Sequence, residues 1–167
     1  TDCPPHGEAA PLPPMTAEEL LEALAIPEMG PKTLRLLLRH FGSWAAARGA
    51  APAELKALGL NAEFARALKD GRAAAFAADE VRRARETGIR LMGYSDPAFP
   101  PALRLHDDLP PLLYVRGELR AQDALAVAIV GSRRASVYGT MHAERFAFEL
   151  AQAGFTVVSG LAQGIDA

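Results

Sequence analysis

The chain has 167 residues, 50% of them hydrophobic and 23% charged, with 18 Lys and Arg against 20 Asp and Glu and a formal net charge of -2. That balance fits one or two soluble globular domains and excludes a uniformly basic nucleic-acid binder, so any such contact must come from a local patch. Cys3 is the sole cysteine, which excludes an internal disulfide. With no signal peptide and no membrane-length apolar run, a cytoplasmic location is expected.

Residues 1–15 are rich in proline and small residues and read as a disordered leader. Thr16 and Glu19 have capping-box spacing, which predicts a helix through Ala25. Ile26–Gly30 is a turn, and Pro31 suits the first position of the next helix. There Leu34, Leu37, Leu38 and Phe41 recur at helical spacing. Gly42 and Ser43 stop it, and Ser43 is placed to cap a short segment bearing Trp44. Pro52 starts another short helix ending near Gly59. Asn61 is placed to cap one long alanine-rich helix running towards Gly88. Residues 16–87 are thus expected to form a small all-helical module. Arg82, Arg83 and Arg85 read as a solvated helix face.

The turn from Pro27 to Thr33 resembles a helix-hairpin-helix, a module that grips DNA backbone through hairpin amides. Glu28 stands at the first glycine of the usual G-x-G, which puts a carboxylate where a phosphate would sit. Leu58–Leu60 is a weaker second copy. A packing or protein-docking role is therefore preferred to direct DNA contact.

From Gly88 the character changes. Ile89–Met92 and Leu112–Val115 are short strand candidates, and the proline-rich stretch between them must be mostly irregular. These strands are expected to extend a sheet edge. Ala124–Val130 is an unbroken apolar run that suits a strand buried on both faces, as in a parallel sheet. A helical run to Gly154 follows, with Ala143, Phe146, Ala147 and Leu150 at core spacing. Phe155–Val158 is a second buried strand.

Both strands of this strand–helix–strand unit would end at one sheet edge and open into loops of small residues, Gly131–Gly139 and Ser159–Asp166. Loop amides and a helix N-terminus favour an anion, and Arg133 and Arg134 add fork-shaped donors suited to phosphate. The first loop is no dinucleotide fingerprint, because Arg133 stands where G-x-G-x-x-G needs its second glycine. No G-K-[ST] follows, so it is no Walker A loop either. Ser132, Ser136 and Ser159 suit caps and turns as well as ligand contact. Tyr138, the aromatic nearest the first loop, suits either base stacking or packing beneath it. Asp166 reads as orienting the second loop rather than as catalytic. His6, His40, His106 and His142 are scattered, so no metal site is expected, and no cofactor. Thr1 is not an initiator methionine, and Ala167 follows directly on the second loop. The chain is therefore expected to be the front part of a longer protein.

Four stretches together carry a specific resemblance. They are Tyr94–Pro100, Leu109–Gly117, Val127–Arg133 with Tyr138–Gly139, and Val158–Ala167. In order and spacing they resemble the DNA processing protein A (DprA/Smf) family over roughly the second half of the chain. The resemblance implies an α/β, extended Rossmann-like fold over residues 88–167, preceded by a sterile-alpha-motif-like or helix-hairpin-helix module. It implies a protein that binds single-stranded DNA without cutting it, protects incoming strands in natural transformation, forms a homodimer and loads the RecA recombinase. The family's Gly-Ser-Arg motif falls on Gly131, Ser132 and Arg133. Its Ser-Gly-x-Ala-x-Gly-Ile-Asp motif falls on Ser159, Gly160, Ala162, Gly164, Ile165 and Asp166. The rival reading is a nucleotide-processing Rossmann-like enzyme of the phosphoribohydrolase kind, whose Pro-Gly-Gly-x-Gly-Thr motif this sequence does not contain.

Overall fold

The computed structural model describes residues 12–104 and 110–167. The leader up to residue 11, with Cys3 and His6, lies outside the described residues, as do His106 and Leu109. The described residues form two compact units, one reaching Gly117 and one running from Glu118 to Ala167.

The first unit holds α1 (Ala17–Leu24), α2 (Pro31–Phe41), α3 (Trp44–Gly49), α4 (Pro52–Ala57), α5 (Ala62–Ala67), α6 (Arg72–Glu86), β1 (Arg90–Gly93), α7 (Pro101–Arg104) and β2 (Leu112–Val115). Local chemistry sets most of these limits. The Thr16 amide donates to Glu19 Oε2 at 2.8 Å and the Glu19 amide to Thr16 Oγ1 at 3.1 Å, closing the capping box. Ser43 and Asn61 accept the amides of Ala46 and Phe64 at the starts of α3 and α5. Leu20, Leu34, Leu37, Leu38, Trp44 and Leu55 bury the apolar faces of these helices in one core. Glu22 is buried with them, and its carboxylate takes the indole N–H of Trp44 at 2.9 Å and pairs with Arg48 at 3.1 Å.

Four expectations are corrected here. Met15 belongs to the core rather than to a leader: its side chain is buried and its amide donates to Ser95 Oγ at 3.1 Å. The single long helix from Asn61 is two, α5 and α6. Gly71 between them takes φ 75°, a left-handed conformation that ends an α-helix, and the Asp70 carboxylate takes the Arg72 amide at 2.9 Å. β1 and β2 do not extend the second unit's sheet. They pair antiparallel with each other, Arg90 opposite Val115 and Gly93 opposite Leu112, and pack against α1 and α6. They group with the helices because Met92 and Leu112 are buried there, so the compact unit runs on past Thr87 to Gly117. Fourth, Phe146 on α8 (Val137–Gln152) is exposed rather than part of the apolar face that meets the strands.

In the hairpin after α1, Glu28 takes φ 66°, a backbone conformation that glycine adopts freely. Its carboxylate accepts from Asn61 Nδ2 at 3.2 Å, which ties this hairpin to the start of α5.

The second unit is a 3-10 turn (Ala121–Ala124), β3 (Ala126–Ala128), α8 (Val137–Gln152) and β4 (Thr156–Val158). β3 and β4 are parallel, with Val127 opposite Val157. Asp123 fastens the turn to β4, accepting from Thr156 Oγ1 at 2.9 Å. The strands are shorter than the apolar runs that announce them. Ala126, Ala128 and Val158 are exposed, because each strand has one strand partner among the described residues. Ser136 caps α8 by accepting the Gly139 amide at 3.1 Å. α8 turns Thr140, Ala143 and Ala147 towards Ile129 and Val157. Phe146, expected in that apolar face, is 58% exposed. At about 3.6 residues per turn it lies about 100° round the helix from Ala147, at the margin of the strand-facing side.

Candidate nucleic-acid interface

Parallel pairing of β3 and β4 delivers both loops to one edge, as the sequence requires. The Ile129 amide donates to the Val158 carbonyl at 2.9 Å, which keeps the chains paired up to the point where they part into loops. Beyond it the loops bond to each other. The Gly131 amide donates to Asp166 Oδ1 at 2.9 Å, and the Ile165 amide to the Ser132 carbonyl at 3.3 Å. Ser159 Oγ donates to the Asp166 carbonyl at 2.7 Å and closes the second loop on itself.

The glycines serve this interlock. A Cβ at Gly131 would lie 2.7 Å from Ile165 Cγ1, and one at Gly164 would lie 2.2 Å from the Ser132 carbonyl oxygen. Gly164 also takes φ 103°. A Cβ at Gly160 would stand 3.0 Å from Asp166 Oδ2. The close approach these glycines permit is loop to loop.

The cations stand on this frame. Arg133 and Arg134 are exposed, and neither side chain has a partner among the described residues. Gly164 packs against the Arg133 backbone, where a Cβ would be 2.8 Å from its Cα. Arg133 is thus fixed beside the second loop. Ser132 Oγ accepts the Arg134 amide at 3.1 Å, a local turn that leaves the amides of Ser132 and Arg133 without acceptors among the described residues. The first amides of α8 likewise lie beyond intrahelical reach. Free amides, a helix N-terminus and two unpaired guanidinium groups at one edge suit a phosphate anion.

Every residue expected at the site therefore lies on the two loops or the first turn of α8. Gly131, Ser132, Arg133, Arg134 and Tyr138 lie on one side, and Ser159, Gly160, Ala162, Gly164, Ile165 and Asp166 on the other. Their roles differ. Asp166, Ser159, Ile165 and the glycines build the frame, whereas Arg133, Arg134 and Tyr138 face solvent. Sequence reasoning passed over Leu161, which takes φ 51° and is 86% exposed at the crest of the second loop. Its signal in the sequence is a lone large apolar residue inside a run of small ones.

Residues 90–167 match the family model of the DNA recombination-mediator protein A. Over those residues the chain resembles this family. The resemblance read from the four stretches is borne out. The chain is 46% identical over 68 residues to Protein Smf of Escherichia coli, covering 41% of this chain and 18% of that protein. It is 32% identical over 83 residues to the DNA processing protein DprA of Bacillus subtilis, covering 49% and 28%. It is 38% identical over 76 residues to Protein Smf of a Synechocystis strain, covering 43% and 19%. The aligned part thus spans between 18% and 28% of these relatives' lengths. Among the described residues, no helix is long and apolar enough to cross a membrane.

Proposed function

We propose that the edge formed by Gly131–Tyr138 and Ser159–Asp166 binds the phosphate backbone of single-stranded DNA. On this reading the protein protects incoming strands in natural transformation and hands them to the RecA recombinase. It works in the cytoplasm as a homodimer and does not cut DNA. The parallel β3–α8–β4 unit supports a Rossmann-like sheet as the scaffold, and the helical module is a protein-docking part.

One observation carries the reading. The Asp166–Gly131 bond locks two loops together and leaves Arg133 and Arg134 unpaired beside open amides. A single strand presents repeated phosphates at flexible spacing, and a cationic groove can follow them without reading sequence. The Asp166 carboxylate is already engaged with the Gly131 amide, so it opposes a polyanion less than a free one would.

The test is a fluorescence anisotropy titration of a labelled oligonucleotide at several salt concentrations. Arg133→Ala should weaken binding to every sequence and flatten the log–log salt slope by about 0.7, one phosphate's share on a single strand. A wild-type protein indifferent to the strand, or a variant with an unchanged slope, overturns the proposal. Release of adenine from AMP by the wild-type protein would establish the phosphoribohydrolase reading in its place.

A further inference from the structure

α8 carries three rings one helical turn apart. Tyr138 and His142 lie with ring centres 4.1 Å apart, and His142 and Phe146 with centres 6.3 Å apart. Thr140, Ala143, Glu144 and Ala147 face the pocket beside β3 and β4. At about 3.6 residues per turn, Tyr138 and His142 fall on the opposite side of the helix and Phe146 on its flank. Tyr138 is 73% exposed and Phe146 is 58% exposed. The Glu149 carboxylate near this face is neutralised by Arg145, whose Nε stands 2.7 Å from it. Tyr138 is the second residue of α8 and so sits directly after the arginine loop.

We propose that Tyr138, His142 and Phe146 form a stacking ladder for unpaired bases, running along α8 from the phosphate-binding loop. The proposal rests on the single-strand reading and extends it from the backbone to the bases. The occupant follows from the surface. Rings spaced by one helical turn, the outer two exposed, and continuous with free guanidinium groups match a chain that alternates flat apolar faces with anions. An apolar protein partner would match the rings and leave the adjoining cations without a counterpart. A ring stacks on any base, so the ladder adds affinity without sequence preference. Tyr138 and His142 already brace each other, which lowers the cost of ordering them under a base.

The test compares a labelled dT oligonucleotide with an abasic strand of the same length and charge. Tyr138→Ala and Phe146→Ala should each weaken dT binding about tenfold, and Phe146→Ala should leave abasic binding and the salt slope unchanged. Tyr138→Phe, which keeps the ring, should restore dT binding. A 2-aminopurine strand should lose emission on the wild-type protein and keep it on Tyr138→Ala. Equal losses on both strands, no loss on either, or altered self-association with unchanged dT affinity would each overturn the ladder. Arg133→Ala is read on the abasic strand. Unchanged affinity there sinks the phosphate-loop reading separately, leaving the ladder to be decided by the dT strand.

Discussion

Asp166 holds Gly131: one carboxylate oxygen takes the glycine amide at 2.9 Å across the gap between the two loops. Removing that acceptor should loosen the first loop while β3, β4 and α8 stay folded. Asp166→Ala is expected to cost about 1.5 kcal/mol, the low end for a hydrogen bond to a charged group, because the site is partly exposed. Faster hydrogen exchange at the Gly131 amide, together with weaker oligonucleotide binding, is the expected readout. Unchanged exchange at that amide would separate Asp166 from the loop's order.

Gly164 and Gly154 both take positive φ, but their surroundings differ. A Cβ at Gly164 runs into the Ser132 carbonyl and the Arg133 backbone, whereas one at Gly154 meets open space. Gly154→Ala should therefore cost only the left-handed strain, about 1 kcal/mol. Gly164→Ala should cost that strain plus a backbone displacement, and should abolish the loop interlock. Thermal melts with oligonucleotide titrations distinguish the two, and equal effects would refute the packing argument.

In the helical unit, Glu22 supplies the acceptor for the buried Trp44 indole. Glu22→Ala strands that N–H and leaves Arg48 without its carboxylate. The expected loss is about 1–3 kcal/mol, the range for an orphaned buried donor. Glu22→Gln keeps an acceptor and should lose less. Trp44 is the sole tryptophan, so its emission during urea unfolding follows this unit directly.

Asp96 gives the first unit an acid limb. Its carboxyl is held below the usual carboxylate range, chiefly by the Ala98 amide and then by the Arg90 guanidinium, which stands 2.8 Å away. A depressed folded value means that the unfolded chain takes up the proton first. The stabilisation is complete above the unfolded pKa of about 3.9 and is lost as pH falls through the lower folded value. Asp96→Asn should lower stability at neutral pH and flatten its fall below about pH 4. Parallel pH–stability curves for wild type and variant would refute this role.

Legibility followed distance along the chain. The caps at Thr16, Ser43 and Asn61 were readable because a side chain and an amide three residues apart decide them. Gly71 was not, since a glycine in an alanine-rich run suits a helix interior or its end, and only the surrounding packing selects φ 75°. The partnership of β1 with β2 was hidden because a short apolar strand carries no mark of the sheet it joins. Phe146 has core spacing with Ala143 and Ala147, yet the small residues fill the contact with the strands and leave no place for a ring. The two loops were legible as sequence, as was the orienting character of Asp166. That its reach extends to Gly131 was not, because no periodicity links residues 35 apart. The left-handed Leu161 escaped for a similar reason: its strain is imposed by the loop's closure rather than by its own preference.

The interlocked loops also impose an order of assembly. As the chain leaves the ribosome, the arginine loop emerges well before Asp166, 35 residues further on than Gly131. Until then Arg133 hangs on an untethered segment. Closure waits for a contact that is distant in sequence and carries the entropy of bringing those ends together. The proposed anion-facing surface is thus a late product of folding, completed only when the second loop has docked.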